Sequence, residues 1–136
     1  MSAADNKRVV LDFLSAIAEG RRDDAMAAFA EDAIWHAPAS LSGVRPVEGR
    51  QAIFDVYFAM DDELFETGTR EYDFEILGAI AEDDTVAIEM CHRGTTARGA
   101  AFETNHHVAY DLRDGRIVEV REYLDSLFFQ REVLDA

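Results

Sequence analysis

Three titratable side chains in the C-terminal half fall where the pattern calls for apolar ones, and together they could move a proton. Glu122 lies between Val120 and Leu124 in a run of alternating apolar residues, and His92 continues the face of Val86, Ile88 and Met90. His106 shares a face with Phe102, Val108 and Tyr110, whereas His107 falls on the other side with Glu103, Asn105, Ala109 and Asp111. Successive strand residues point to opposite faces, so this parity puts one ionisable group from each of three strands on a common inner surface. A buried ionisable group without a partner is costly, so it finds one or shifts its pKa. Desolvation raises a carboxyl and lowers an imidazole, bringing both towards neutrality, where general acid–base chemistry works best. The expected roles are Glu122 as general base or acid, with His92 and His106 as its proton partner and polariser. His36 is a further candidate beside Trp35, on the face of Ile34. Strand ends near a proline such as Pro38 often carry bulges, so parity leaves its side open.

Each of these residues also has a structural reading. A backbone carbonyl could satisfy His106, an open sheet rim could hold His92, and an arginine could pair with Glu122. Three converging on one face favours a site. Cys91 falls opposite His92 with Ala87 and Glu89, which argues against a Cys/His nucleophilic pair and reads as packing. Tyr57, Tyr72, Tyr110, Tyr123 and the Trp35 indole can donate hydrogen bonds but read mainly as core or interface aromatics. Zinc ligands usually come at tight alternate spacing, and adjacent His106 and His107 point apart, so a metal site is the weaker alternative. There is no glycine-rich phosphate loop or dinucleotide fingerprint, and no cofactor is expected.

These side chains need elements to position them. Val9, Val10, Phe13, Leu14 and Ile17 fall at helical spacing and predict a helix over 6–19, stopped by Gly20. A second short helix is predicted over 23–29, then a strand over 33–37 ended by Pro38. Residues 39–49, with Pro46 and two glycines, read as a loop. Ile53, Phe54, Tyr57, Met60, Leu64 and Phe65 predict a third helix over 50–65. The period then changes to two. Tyr72, Phe74 and Ile76 alternate, as do Val86, Ile88 and Met90; Phe102, Val108, Tyr110 and Leu112 follow, then Val118, Val120 and Leu124. Glu82-Asp83-Asp84 breaks the first pair of strands, 94–100 is a looser connection, and Asp114-Gly115 is the favoured two-residue hairpin turn. Helices first and a strand meander afterwards predict an α+β domain, with the helices packed in the concave face of a curved, mainly antiparallel sheet. The acidic runs Asp23-Asp24, Asp61-Asp62-Glu63 and Glu82-Asp83-Asp84 sit at ends and turns and read as solvated surface.

The chain has 136 residues, 49% hydrophobic and 30% charged, which suits one globular domain with one core. Its 13 Lys+Arg against 28 Asp+Glu give a net charge of −15, which makes nucleic acid and anionic membranes unsuitable partners. No apolar run approaches the roughly 18 residues of a membrane span. No apolar segment of a signal peptide follows the opening residues, and the single Cys91 fits a reducing compartment, so a cytoplasmic location is expected.

Three phrases carry a family resemblance: Phe29-Ala30-Glu31-Asp32-Ala33-Ile34-Trp35-His36-Ala37-Pro38, Val47-Glu48-Gly49-Arg50, and Leu112-Arg113-Asp114-Gly115-Arg116-Ile117-Val118-Glu119-Val120-Arg121-Glu122-Tyr123-Leu124-Asp125. They resemble the SnoaL-like branch of the nuclear-transport-factor-2-like superfamily, and the resemblance treats residues 1–136 as one domain. It implies a cone-shaped α+β barrel with a deep apolar pocket, and a homodimer formed through the sheet. Family activities include polyketide cyclisation, ketosteroid isomerisation, limonene epoxide hydrolysis and dehydration; other members only bind. By this resemblance Glu122 matches the carboxylate base of limonene epoxide hydrolase. His92 falls at that enzyme's second catalytic aspartate and Met90 at the arginine bridging the two acids, so its triad is not reproduced. Thr104, His106 and Leu124 match positions lining the hydrolase pocket.

The ketosteroid isomerase triad is also missing, because Ala37 or His36 stands at the base position, Phe13 at the tyrosine and Val108 at the acid. Leu14, Ile17, Trp35 and Tyr57 are expected to complete a substrate-binding wall with Phe13, Met90, Thr104, Val108 and Leu124. The expectation is therefore a cofactor-independent acid–base enzyme of isomerase, dehydratase, cyclase or hydrolase type. Its substrate would be a small, mostly apolar cyclic or aromatic molecule. The alternative is a non-catalytic ligand-binding or dimeric structural domain of the same fold.

Overall fold

Ser2 and Asp5 start the first helix by a reciprocal cap: the Ser2 hydroxyl accepts the Asp5 N–H and the Asp5 carboxylate accepts the Ser2 N–H. In this computed structural model, which describes residues 1–41, 45–68 and 72–135, α1 therefore runs Ala3–Ala18 and starts before the apolar periodicity does. It buries Asn6, Val10, Phe13 and Ala16, one face of the helix. The next helix, α2 (Arg22–Ala27), ends earlier than the pattern predicts, because Phe29 opens strand β1 (Phe29–His36). Tertiary contact decides this: the Phe29 ring packs edge-on against Phe13 at 5.1 Å and Phe54 at 5.5 Å between centroids.

The predicted loop contains a two-residue strand, β2 (Val47–Glu48), paired antiparallel with Ile34 and Trp35; residues 42–44 of that loop lie outside those described. The predicted third helix is present in three parts: α3 (Arg50–Ile53), a π turn (Phe54–Phe58) and α4 (Ala59–Leu64). Phe54, Tyr57 and Phe58 of the π turn are all buried.

Strands β3 (Asp73–Glu82), β4 (Thr85–Thr95), β5 (Ala101–Arg113) and β6 (Arg116–Leu124) form the expected meander. Asp114 and Gly115 have φ of 52° and 77°, the positive values that a tight two-residue hairpin needs. Among the described residues the sheet runs β2-β1-β6-β5-β4-β3, and β1 pairs with β6 in parallel while the other pairs are antiparallel. It is an open, mixed sheet with β2 and β3 at its edges, and the helices lie in its concave face: an α+β fold.

Two irregularities reset the strand parity. Ile76 stands opposite Met90 and is 38% exposed; the bulge that follows it, before Gly78, passes the inward-facing positions to Ala79 and Ala81. On β6, Val118 is the extra residue opposite the Asp111–Leu112 step, so Ile117 and Val120 are buried and Val118 is not. A C-terminal helix, α5 (Ser126–Phe129), adds to the predicted elements and continues in a π turn (Gln130–Leu134). The Asp125 carboxylate caps it by accepting the Phe128 N–H, and Phe129 and Val133 join Leu41, Phe65 and Phe102 in a second apolar cluster. No helix among the described residues is long and apolar enough to cross a membrane.

Candidate active site

Between α1, the π turn and the concave face of the sheet lies a cavity of about 100 Å³. Its wall takes Phe13, Leu14 and Ile17 from α1, Trp35 from β1, Tyr57 and Phe58 from the π turn, and Met60 and Asp61 from α4. The sheet contributes Phe74, Met90, His92, His106, Val108, Tyr110, Glu122 and Leu124, and Phe129 comes from α5. A second, more polar cavity of about 340 Å³ adjoins it and shares Ile17, Phe58, Asp61 and Phe74.

The strand register explains how the titratable groups meet. Glu122 stands opposite Val108 and Leu124 opposite His106, so Glu122 and His106 are diagonal neighbours on one face. Their side chains form a hydrogen bond of 2.9 Å between Nδ1 and Oε2. A carboxylate has no proton to give, so the ring donates from Nδ1 to Glu122. His106 Nε2 is buried without a hydrogen-bond partner among the described residues. The His106 side chain is only 7% exposed and Glu122 is 20% exposed, so the carboxylate is the more reachable member of the pair.

His92 is the other diagonal neighbour of His106, with ring centroids 5.6 Å apart. Phe74 stacks on its face at 4.3 Å, and Phe65 and Phe102 meet it edge-on at 4.9 Å. Burial in this aromatic cage, helped to a smaller extent by charge on His106, pushes the His92 pKa down to about 3. His92 is therefore a neutral ring near pH 7, and its Nε2 has no partner among the described residues. The Trp35 indole N–H is likewise buried without an acceptor among the described residues.

Asp61 is the residue that the sequence reading missed. It is half-buried and lines both cavities. Burial first, then the charges of Glu122 and Asp62, push its carboxyl up to about 8, against a lowering by Arg22. Burial and the Glu122 charge also raise the Tyr57 phenol to about 12, and its hydroxyl donates to the Arg45 carbonyl at 2.8 Å. The solvated-surface reading of Asp61-Asp62-Glu63 is thus wrong for Asp61. A signal was available: Asp61 comes four residues after Tyr57, three after Phe58 and four before Phe65, on the apolar side of its helix.

Of the other expected positions, Phe13, Leu14, Ile17, Trp35, Tyr57, Met90, Val108 and Leu124 line the cavity. Thr104 is buried but forms no part of its wall. His36 is a correction: because Trp35 points inward, His36 points to the other side of the sheet, where Nε2 meets Glu119 Oε1 at 3.0 Å and the side chain is 38% exposed. Cys91 lies opposite His92, between Arg93 at 3.2 Å and Glu103 at 3.5 Å. Among the described residues no three His, Cys, Asp or Glu side chains cluster as metal ligands would.

Residues 10–120 match the family described as the SnoaL-like domain. No curated protein matches the chain. Among solved structures it is similar to Bal32a from a soil-derived mobile gene cassette, with 21% identity, 95% of this chain and 96% of that one covered, and a TM-score of 0.83. It is also similar to a nuclear-transport-factor-2-like protein from Burkholderia thailandensis, with 22% identity, 96% and 97% covered, and a TM-score of 0.83. A third similar structure is TerC co-crystallized with polyporic acid, with 16% identity, 97% and 99% covered, and a TM-score of 0.81. At these identities the likeness is one of fold.

Proposed function

The chain belongs to the SnoaL-like domain family, whose fold is nuclear-transport-factor-2-like, and from that premise we propose that it is a cofactor-independent acid–base enzyme. Its substrate is a small, mostly apolar cyclic or aromatic molecule that enters the cavity beside Glu122. The observation carrying this reading is the 2.9 Å bond between His106 Nδ1 and Glu122 Oε2 at the wall of an apolar cavity. A carboxylate held by one N–H at the wall of an apolar cavity is a competent base for an activated C–H or O–H.

Glu122 takes the proton, and His106 holds the carboxyl in place before and after the transfer. His92 is a neutral part of the wall, because its cage keeps it from accepting a proton near pH 7. Isomerisation, dehydration, cyclisation and hydrolysis share this proton transfer and require no other group at the first step. The protein acts as a homodimer in the cytoplasm, its subunits joined through the convex face of the sheet. The exposed Ile80 and Tyr123 side chains support that arrangement.

The test needs no identified substrate. Wild-type protein in D₂O should speed deuterium exchange next to the carbonyl of cyclic ketones and enones, followed by proton NMR. Glu122→Gln should fold normally and lose roughly 100-fold or more of that exchange. Exchange undiminished in the variant sinks the assignment of the base. No protein-dependent exchange across the panel favours a binding domain instead.

A further inference from the structure

Two walls of the inner cavity each carry a carboxyl group. Glu122 stands on the sheet, and Asp61 stands on α4 at the junction with the polar outer cavity. No lysine or arginine among the described residues lines the inner cavity. Arg22 is the cation near Asp61, but its guanidinium pairs with Asp62 at 3.0 Å and reaches the Phe58 carbonyl at 3.3 Å. The Thr67 hydroxyl gives Asp62 a second hydrogen bond, at 3.1 Å. Neighbouring residues thus have opposite fates: Asp62 is paired and half-exposed, whereas Asp61 is turned to the cavity with no cation within ion-pair distance among the described residues. Two carboxyls that share a desolvated space resist ionising together, so one of them keeps a proton. Glu122 has the imidazole N–H to hold it as an anion; Asp61 has no such donor among the described residues.

We propose that Asp61 is the acid of this site: its protonated carboxyl donates a hydrogen bond to a carbonyl or hydroxyl oxygen of an uncharged ligand, so the cavity selects neutral carbonyl compounds over carboxylates of the same shape. The inference rests on the reading of the cavity as a ligand site with Glu122 as base, and extends it to substrate class. With base and acid on different walls, Glu122 accepts a proton from the carbon beside the carbonyl. The C–H electron pair moves into the new C–C double bond, and the carbonyl pair moves to the oxygen bonded by Asp61. The same proton returns from Glu122 to another carbon of the conjugated system, which completes an isomerisation with no further reactant. An anionic ligand would add a charge beside Glu122 and meet no cation among the described residues of the wall.

The groups facing Asp61 are Glu122 from β6, Asp62 beside it, Arg22 from α2, and Tyr72 and Asp73 across the outer cavity. Burial, with Glu122 and Asp62, places its titration at about 8. Trp35 is the single tryptophan and lines the cavity, so its fluorescence reports occupancy. The probes are acetophenone and benzoate. At about pH 6 acetophenone should bind more tightly than benzoate. Raising the pH to about 9.5 leaves roughly 3% of Asp61 protonated, so acetophenone affinity should fall about 30-fold.

Asp61→Asn keeps an N–H donor and cannot ionise, so it should retain acetophenone binding and lose most of the pH dependence. Carboxyl carbon NMR should show a group titrating near pH 8 in the wild type and missing from this variant. The proposal is overturned if acetophenone fails to bind at the lower pH or benzoate binds as well. It is equally overturned if the pH dependence is absent, or if it survives in Asp61→Asn. None of these arms reads turnover, so their failure is distinct from the failure of Glu122 as the base.

Discussion

Replacing Asp61 by asparagine should stabilise the protein at about pH 8 relative to the effect of the same substitution at about pH 4. An unfolded aspartate titrates near 3.9, whereas the folded Asp61 titrates at about 8. Between those values the folded protein retains a proton that the unfolded chain has released. Stability therefore falls as pH rises through this window, and levels off above it. The slope for one proton is about 1.4 kcal/mol per pH unit. Four units set an upper bound of roughly 6 kcal/mol, and water reaching the cavity wall should reduce it to about 2–4 kcal/mol.

His92 works in the opposite sense. Its folded pKa is about 3, and its unfolded value is near 6.5. As pH falls from 6.5 the unfolded chain takes up a proton that the folded ring refuses, so stability is present above this window and lost towards about pH 3. The two slopes cancel between about pH 4 and 6.5 and separate outside it. Taken alone, these two groups give a plateau there, an acid-side loss from His92 and an alkaline-side decline from Asp61. Urea unfolding followed by Trp35 fluorescence from about pH 3 to 9 measures the profile. Subtracting variant from wild type removes the other titrating groups. Asp61→Asn should abolish the decline from about pH 6.5 to 8, and His92→Phe should extend that decline down to about pH 4. Parallel profiles for wild type and Asp61→Asn would refute the reasoning, because they would mean that Asp61 is as free to ionise in the folded protein as in the unfolded chain.

Two further outcomes follow from the site and its setting. His106→Phe keeps a ring but removes the N–H that holds Glu122, so kcat for the deuterium exchange should fall roughly 10- to 100-fold with KM little changed; an undiminished kcat would remove His106 from the mechanism. The wild-type protein should sediment as a dimer, and Ile80→Asp, which puts a charge on a side chain 74% exposed on the convex face, should yield folded monomers; a monomeric wild type would refute the interface.

The strands were legible because period two survives wherever the ladder is regular. The register from Val86 to His92 and from Phe102 to Leu112 runs without a bulge until Asp111, and so the parity of His92 and His106 was right. Glu122 was right too, because it lies beyond the extra residue Val118, in phase with Val120. Parity failed after Ile76, which still stands opposite Met90, because a bulge that no residue type announces shifts the face before Gly78. It also left His36 open, although its neighbour Trp35 is far costlier to expose and settles which of the two turns inward. Phe29 joined a strand because three aromatic neighbours outweigh a weak local helical preference.

Asp61 was hidden by a different error, that of averaging a charge run. On a helix, consecutive residues differ by about 100° in direction, so Asp61, Asp62 and Glu63 cannot share an environment. Asp62 turns to Arg22 and Thr67, while Asp61 follows Tyr57 and Phe58 to the cavity. The reasoning that singled out Glu122, a carboxylate in phase with apolar neighbours, applies unchanged to Asp61 once the period is 3.6 rather than 2. Read by phase, the two acids occupy facing elements of one cavity, and their different partners then separate them into a base held by an imidazole and an acid held by burial.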